Sequence, residues 1–359
     1  MDAFITILAF VLILGLLVFV HELGHFLVAR RNGIKVEEFA FGLPLLPAVY
    51  SHRRGETTYS IYPVPLGGFV RMLGEDGKDK TKRSFSAKSP GIRAKVLVAG
   101  VVMNVLLAFV LLTIGFVFRM PPLALCASSY PGATFTNNVS VAAVADGPAK
   151  EAGIVPGDQI RAIEGTSINC SKDVPRLLRE RAGVPTMLTL SRNNQATSIL
   201  VTPRDSGRQQ GTIGIAPTDN YENLRYPLLS APLLALMETG AIIAATLTAL
   251  ADLFVKLFTA ATVPMGVSGP VGIAKYTGQV IELGPIMMLR FVAILSLSLA
   301  VFNILPIPAL DGGRLLFVGV EALRGGKPIT SRLENAIHTA GFVALIGFLL
   351  LITYFDLTR

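Results

Sequence analysis

The chain has 359 residues, 52% of them apolar and only 16% charged. Soluble domains carry about 25% charged residues, so this composition excludes a single soluble globule, and its apolar content excludes intrinsic disorder. Lys and Arg number 32 against 24 Asp and Glu, a formal charge of +8; with no basic helix or interleaved aromatic platform, that excess fits the cytoplasmic loops of a membrane protein and no nucleic-acid partner.

The first predicted element is a transmembrane helix over 1–31. The leading charge is Asp2, the uncharged run 3–20 is longer than a secretory signal core, and HELGH follows it where a cleavage site would stand, so the span is retained. His21-Glu22-Leu23-Gly24-His25 carries the chemistry. Residues four apart share a helix face, so two imidazoles there can grip one Zn²⁺, with Glu22 placed to take a proton from water. Five-residue matches of this kind arise by chance. Here the ionisable groups directly continue an 18-residue apolar run, where they are costly and mark function.

Residues 32–95 read as a cytoplasmic loop. Between Arg30 and Lys95 there are 13 basic and 6 acidic residues, against 11 and 9 over the longer stretch from Arg119 to Arg225. The denser basic excess stays inside, which puts the N-terminus and 119–225 outside. A second span is predicted at 96–118. Residues 130–205 then read as a small folded α/β domain, with strands at 140–144, 159–163, 186–191 and 197–202 and short helices at 148–152 and 174–181. Cys126 and Cys170 both fall outside, and whether they pair is open. The apolar stretch 226–261 is cut by Glu238, Asp252 and Lys256 and is predicted to form membrane-associated helices. Further spans are predicted at 291–311 and 339–355. The fold class is a multi-pass α-helical membrane protein of about four transmembrane helices with an inserted extracytoplasmic α/β domain.

Two imidazoles are too few for a catalytic zinc, which normally takes three protein ligands. Candidates for the third are His52, His338, Glu38, Asp311 and a handful of other acidic residues. His52 sits beside Arg53 and Arg54 on a solvated face, and His338 opens the last span as an interfacial residue. Asp311 is better placed, at the end of NILPIPALD. Two prolines break the helix there, Gly312 and Gly313 let the backbone turn, and broken helix at membrane depth is tolerated where it lines a cavity. His21 and His25 lie toward the cytoplasmic end of their helix. Asp311 reaches them only if its span runs from outside to inside, so 226–261 must cross zero times or twice.

With these residues in view, the chain resembles the bacterial site-2 proteases, the intramembrane zinc metalloprotease family that includes the regulator of sigma-E protease. HELGH at 21–25 and NILPIPALDGGR at 303–314 match its two signatures. The resemblance implies Zn²⁺ held by His21, His25 and Asp311, Glu22 as general base, and Asn303 near the reacting peptide. Residues 59–70 resemble the family's membrane-entering β-hairpin, so Gly67, Gly68 and Phe69 are expected to lie against substrate. Residues 99–104 resemble a second-span motif, with Val101 where the family usually has proline, and 268–273 resemble the segment before the third span. Residues 147–158 resemble the short helix and turn of bacterial PDZ domains.

The implied activity is hydrolysis of peptide bonds in or near transmembrane segments of single-span proteins, such as anti-sigma factors or remnant signal peptides. The implied place is the bacterial cytoplasmic membrane, with the PDZ domain extracytoplasmic and the active site toward the cytoplasm. A membrane scaffold with a structural metal would leave Glu22 without a task. A metal transporter calls for ionisable residues along the other spans, which are bare.

Overall fold

The computed structural model describes residues 3–75, 79, 81–205, 211–260, 268–325 and 330–358. They form two compact units, one drawn from residues 1–115 and 235–359 and the other from 116–234.

In the first unit, α1 (Ala3–Arg31) is an uninterrupted helix of 29 residues, about 43 Å long at 1.5 Å per residue. In lipid a helix satisfies every backbone group internally, which suits the exposed side chains of Phe4, Ile5, Ile7, Leu8 and Leu12. Four strands follow: β1 (Val36–Leu43), β2 (Tyr50–Arg54), β3 (Thr57–Ile61) and β4 (Val64–Met72). They form one mixed sheet in the order β2-β3-β1-β4. This corrects the expected hairpin over 59–70. β3 and β4 do not pair with each other, because β1 lies between them, parallel to β3 and antiparallel to β4. The reason is burial: Val36, Phe39 and Ala40 of β1 are core residues, and the more apolar strand takes the interior position. β4 is left at an edge and lies along α1. The core beneath gathers Phe26, Phe39, Val70 and Met72 with Val96 and Leu97. The last two belong to α2 (Pro90–Val117), which Pro90 opens six residues before the predicted start.

The second unit is built on β5 (Thr134–Val144), α3 (Pro148–Glu151), β6 (Gln159–Ile163), β7 (Thr166–Ser167), α4 (Asp173–Leu178), β8 (Thr186–Arg192) and β9 (Gln195–Val201). A small ladder joins β10 (Arg204–Asp205) to β11 (Gly211–Thr212), and β12 (Ile215–Arg225) closes the unit. The main sheet runs β12-β5-β6-β8-β9, with β7 on β6. Its core is aliphatic, centred on Val139, Val141, Ile160, Ile163, Leu188 and Leu190. Because β12 pairs along the length of β5, the unit extends well past residue 205. Cys126 and Cys170 are joined in a disulfide with Cα atoms 5.8 Å apart.

The chain continues through α5 (Ala231–Ala260), α6 (Pro270–Glu282), α7 (Pro285–Ile304), α8 (Asp311–Leu323) and α9 (Ser331–Thr358). Among the described residues, 5 helices are long and apolar enough to cross a membrane: α1, α2, α7, most of α9, and the stretch Leu228–Val255. That last stretch lies in one continuous helix, where more than one membrane-associated helix is expected over 226–261. Glu238 does not break α5, because its side chain is buried and Arg290 of α7 supplies an opposing charge. Further along, Leu250 and Leu253 pack with Val301, Phe302 and Leu305. The span predicted at 291–311 is also shorter: α7 stops at Ile304, and Asp311 is the first residue of α8.

Candidate metal centre

His21 and His25 are one helical turn apart on α1, with ring centroids 4.8 Å apart. Both are buried, and their Nε2 atoms stand 3.1 Å from each other. Oδ2 of Asp311 lies 2.9 Å from Nε2 of His21 and 3.2 Å from Nε2 of His25. One ligand atom from each of the three falls within 4.8 Å of the others. Among the described residues this is the one such cluster of His, Cys, Asp and Glu.

The loop between α7 and α8 delivers Asp311. Ala309 takes a left-handed backbone conformation at φ 79°, uncommon for a residue with a Cβ. Its N–H donates to Nδ1 of His338 on α9 at 2.9 Å, which holds the loop in that form. Three residues past Asp311, Arg314 forms an ion pair with Glu75, and Arg93 at the start of α2 pairs with Glu321 of α8. Both pairs tie α8 to the parts of the unit that flank α1.

The donors fit a divalent cation. Two imidazole nitrogens and one carboxylate oxygen are one of the donor sets that catalytic zinc sites use. Nδ1 of His25 lies 2.8 Å from the carbonyl oxygen of Val96. A carbonyl only accepts, so Nδ1 carries the proton and Nε2 keeps its lone pair for a cation. α2 also leaves room beside the donors. A Cβ on Gly100 would stand 2.5 Å from Nε2 of His25 and 2.7 Å from Nε2 of His21.

Glu22 faces the sheet. Gly68 of β4 is packed so that a Cβ there would lie 3.3 Å from Cγ of Glu22 and 3.2 Å from Cγ1 of Val18. The edge strand therefore passes directly beside Glu22. Gly67 precedes it at φ 136°, a backbone state that favours glycine. Phe69 turns to the opposite face, its ring 5.9 Å from that of Tyr62 and under the guanidinium of Arg71. Asn303 sits in the last turn of α7, where its Nδ2 donates to the Leu299 carbonyl at 3.0 Å. It is not part of the three-residue cluster.

The rival third ligands are engaged elsewhere. Glu38 accepts from Ser60 at 2.6 Å and from Tyr62 at 3.0 Å. His52 lies on the exposed strand β2. The surroundings contributed by α2 were not read as part of the site from sequence, although the motif at 99–104 marked the right helix.

A model of peptidase family M50 matches residues 9–348. A Clostridium perfringens protein that bears a zinc metalloprotease name is 36% identical over 344 residues, covering 95% of each chain. The regulator of sigma-W protease RasP of Bacillus subtilis is 30% identical over 437 aligned positions, covering 99% of this chain and 98% of its own. The zinc metalloprotease RasP of Geobacillus kaustophilus is 30% identical over 433 positions, with the same coverage of 99% and 98%. A membrane protein with paired imidazoles beside a carboxylate thus finds its relatives among metallopeptidases. The chain belongs to peptidase family M50, the site-2 proteases.

Proposed function

We propose that this metallopeptidase is a zinc-dependent endopeptidase of the bacterial cytoplasmic membrane that cuts peptide bonds within or near the transmembrane segments of single-span proteins. His21, His25 and Asp311 would hold the ion. The observation that carries this reading is the convergence of two Nε2 atoms and Oδ2 from helices 290 residues apart in sequence. A bound Zn²⁺ supplies Lewis acidity at the scissile carbonyl and makes hydroxide available near neutral pH.

Glu22 is the general base in this reading. It takes the proton of the attacking water and passes it to the departing amine. A peptide bond in a helix is shielded, with its carbonyl already hydrogen-bonded, so cleavage requires an extended segment. The edge strand β4 offers unpaired backbone groups to such a segment, by strand addition. Gly67 and Gly68 allow close approach beside Glu22, and Phe69 lines the strand. Asn303 would turn its amide from Leu299 to the extended backbone.

From loop charge we read the active site as lying toward the cytoplasm and residues 119–225 as lying outside, with 130–205 among them a PDZ domain. The Bacillus subtilis relative's name ties that protein to sigma-W, which makes a membrane-anchored anti-sigma factor the substrate class we assign.

The test is Glu22→Gln in the full chain, reconstituted with a single-span peptide. Zinc content should match the parent while cleavage falls by about 10³-fold or more. Cleavage at the parent rate would sink the assignment.

A further inference from the structure

We infer that Asn104 is a positioning residue for His21, its side-chain carbonyl accepting the Nδ1 proton and so leaving Nε2 free to bind a cation. The inference rests on the zinc reading above and adds a residue to it.

Asn104 lies on α2 and is fully buried. Its Nδ2 stands 3.3 Å from Nδ1 of His21, while its Oδ1 is buried without a partner among the described residues. That arrangement does not suit a metal-binding His21 in either tautomer. With the proton on Nδ1, two donors face each other. With the proton on Nε2, Nδ1 can accept, but the N–H then points at Asp311 and His21 has no lone pair to offer there. A half-turn of the carboxamide exchanges its oxygen and nitrogen, which crystallographers also assign from hydrogen bonding. The orphaned oxygen then meets Nδ1–H, and the facing pair of donors becomes a donor and an acceptor.

His25 shows the same device already in place, with Nδ1 held by the Val96 carbonyl at 2.8 Å. Val96, Gly100 and Asn104 recur every four residues and lie on one face of α2. One face therefore provides an oxygen for His25, space for the donors at Gly100, and an oxygen for His21. The turn carrying Asn104 is fixed in its own right, because Ser296 of α7 donates its hydroxyl to the Asn104 backbone carbonyl at 2.8 Å. Partners of this kind set tautomer and ring orientation, and losing one costs about 10–100-fold in metal affinity.

Zinc affinity of the purified full-length protein, measured by competition with a chromophoric chelator, tests this. Asn104→Leu keeps the volume and loses the acceptor, so affinity should fall about 10–100-fold. Asn104→Asp has acceptors only and should bind within about threefold of the parent, with an unchanged visible spectrum when Co²⁺ replaces Zn²⁺. Binding by Asn104→Leu within threefold of the parent overturns the proposal, as does an Asn104→Asp variant as weak as Asn104→Leu. If Asn104→Leu cannot be recovered folded, Asn104→Ala against Asn104→Asp decides by the same margins. A parent that binds no zinc overturns the metal reading itself.

Discussion

A methyl group on Gly100 would stand 2.5 Å from Nε2 of His25. The neighbours are two buried imidazoles already packed against each other and against the Asp311 carboxylate, so neither can give way without leaving it. Gly100→Ala should therefore push both rings off the Asp311 carboxylate and abolish stoichiometric zinc binding. Overpacking of this kind costs about 1–3 kcal/mol in stability, which a helical bundle of this size tolerates. Elemental analysis of the purified variant checks it: parent-like zinc would show that the space beside Gly100 is not needed by the donors.

The strand beside Glu22 gives a different signature. Gly68 sits against Glu22 and Val18. Gly68→Val adds a β-branched side chain that suits a strand but displaces the Glu22 carboxylate. Zinc content should stay at the parent level while kcat falls about 10²-fold, the scale of a misplaced catalytic group. Loss of zinc in step with activity would mean that Gly68 supports the fold of the centre and not the placement of Glu22.

These two glycines differ in how far the sequence announces them. HELGH is local, since a spacing of four on a helix fixes a shared face whatever surrounds it. Asp311 is legible through its motif, because prolines and glycines on either side mark a broken helix. Gly100, Val96 and Asn104 act across a helix–helix contact, and their own helix period does not reveal which face meets α1.

The sheet was misread for a related reason. The hairpin over 59–70 is what the resemblance implies, yet strand order is decided by burial, and β1 is the strand with core residues to hide. β12 escaped notice because it is an edge strand with Leu224 as its one fully buried residue, so it shows no apolar alternation. In α5, Glu238 and Asp252 suggested interruptions. Counting charges ignores shelter, and Glu238 is buried beside an opposing Arg290.

The β-rich unit has a pH dependence with a defined sign. Asp158 is buried and accepts from Arg192 at 2.6 and 2.7 Å and from the Val155 N–H at 2.9 Å. The Arg192 hydrogen bonds hold its carboxyl below the ordinary range, against the opposing effect of burial. A folded-state pKa below the unfolded one contributes stability that is present above about pH 3.9 and is lost as pH falls through the folded value. The unit's urea midpoint, followed by hydrogen exchange in the full chain, should be insensitive to Asp158 between pH 7 and 5 and fall in more acid solution. Arg192→Leu should cost about 1.5–3 kcal/mol at neutral pH, the value of a hydrogen bond to a charged group. A variant as stable as the parent at pH 7 would show that Asp158 is satisfied without Arg192.

The disulfide tests topology and stability together. Cys126 and Cys170 are 44 residues apart, and closing a loop of that length removes unfolded-chain entropy equivalent to about 4 kcal/mol. Cys126→Ser with Cys170→Ser should destabilise residues 116–234 by up to about that amount, with no direct change in His21, His25 or Asp311. The bond persists only where the unit faces an oxidising compartment. In intact cells, a membrane-impermeant thiol reagent should label neither cysteine until a reductant is added from outside, and both afterwards. Labelling of the untreated parent would show that the bond is not formed in the cell, and no labelling after reduction until the membrane is opened would reverse the orientation read from the basic loop at 30–95.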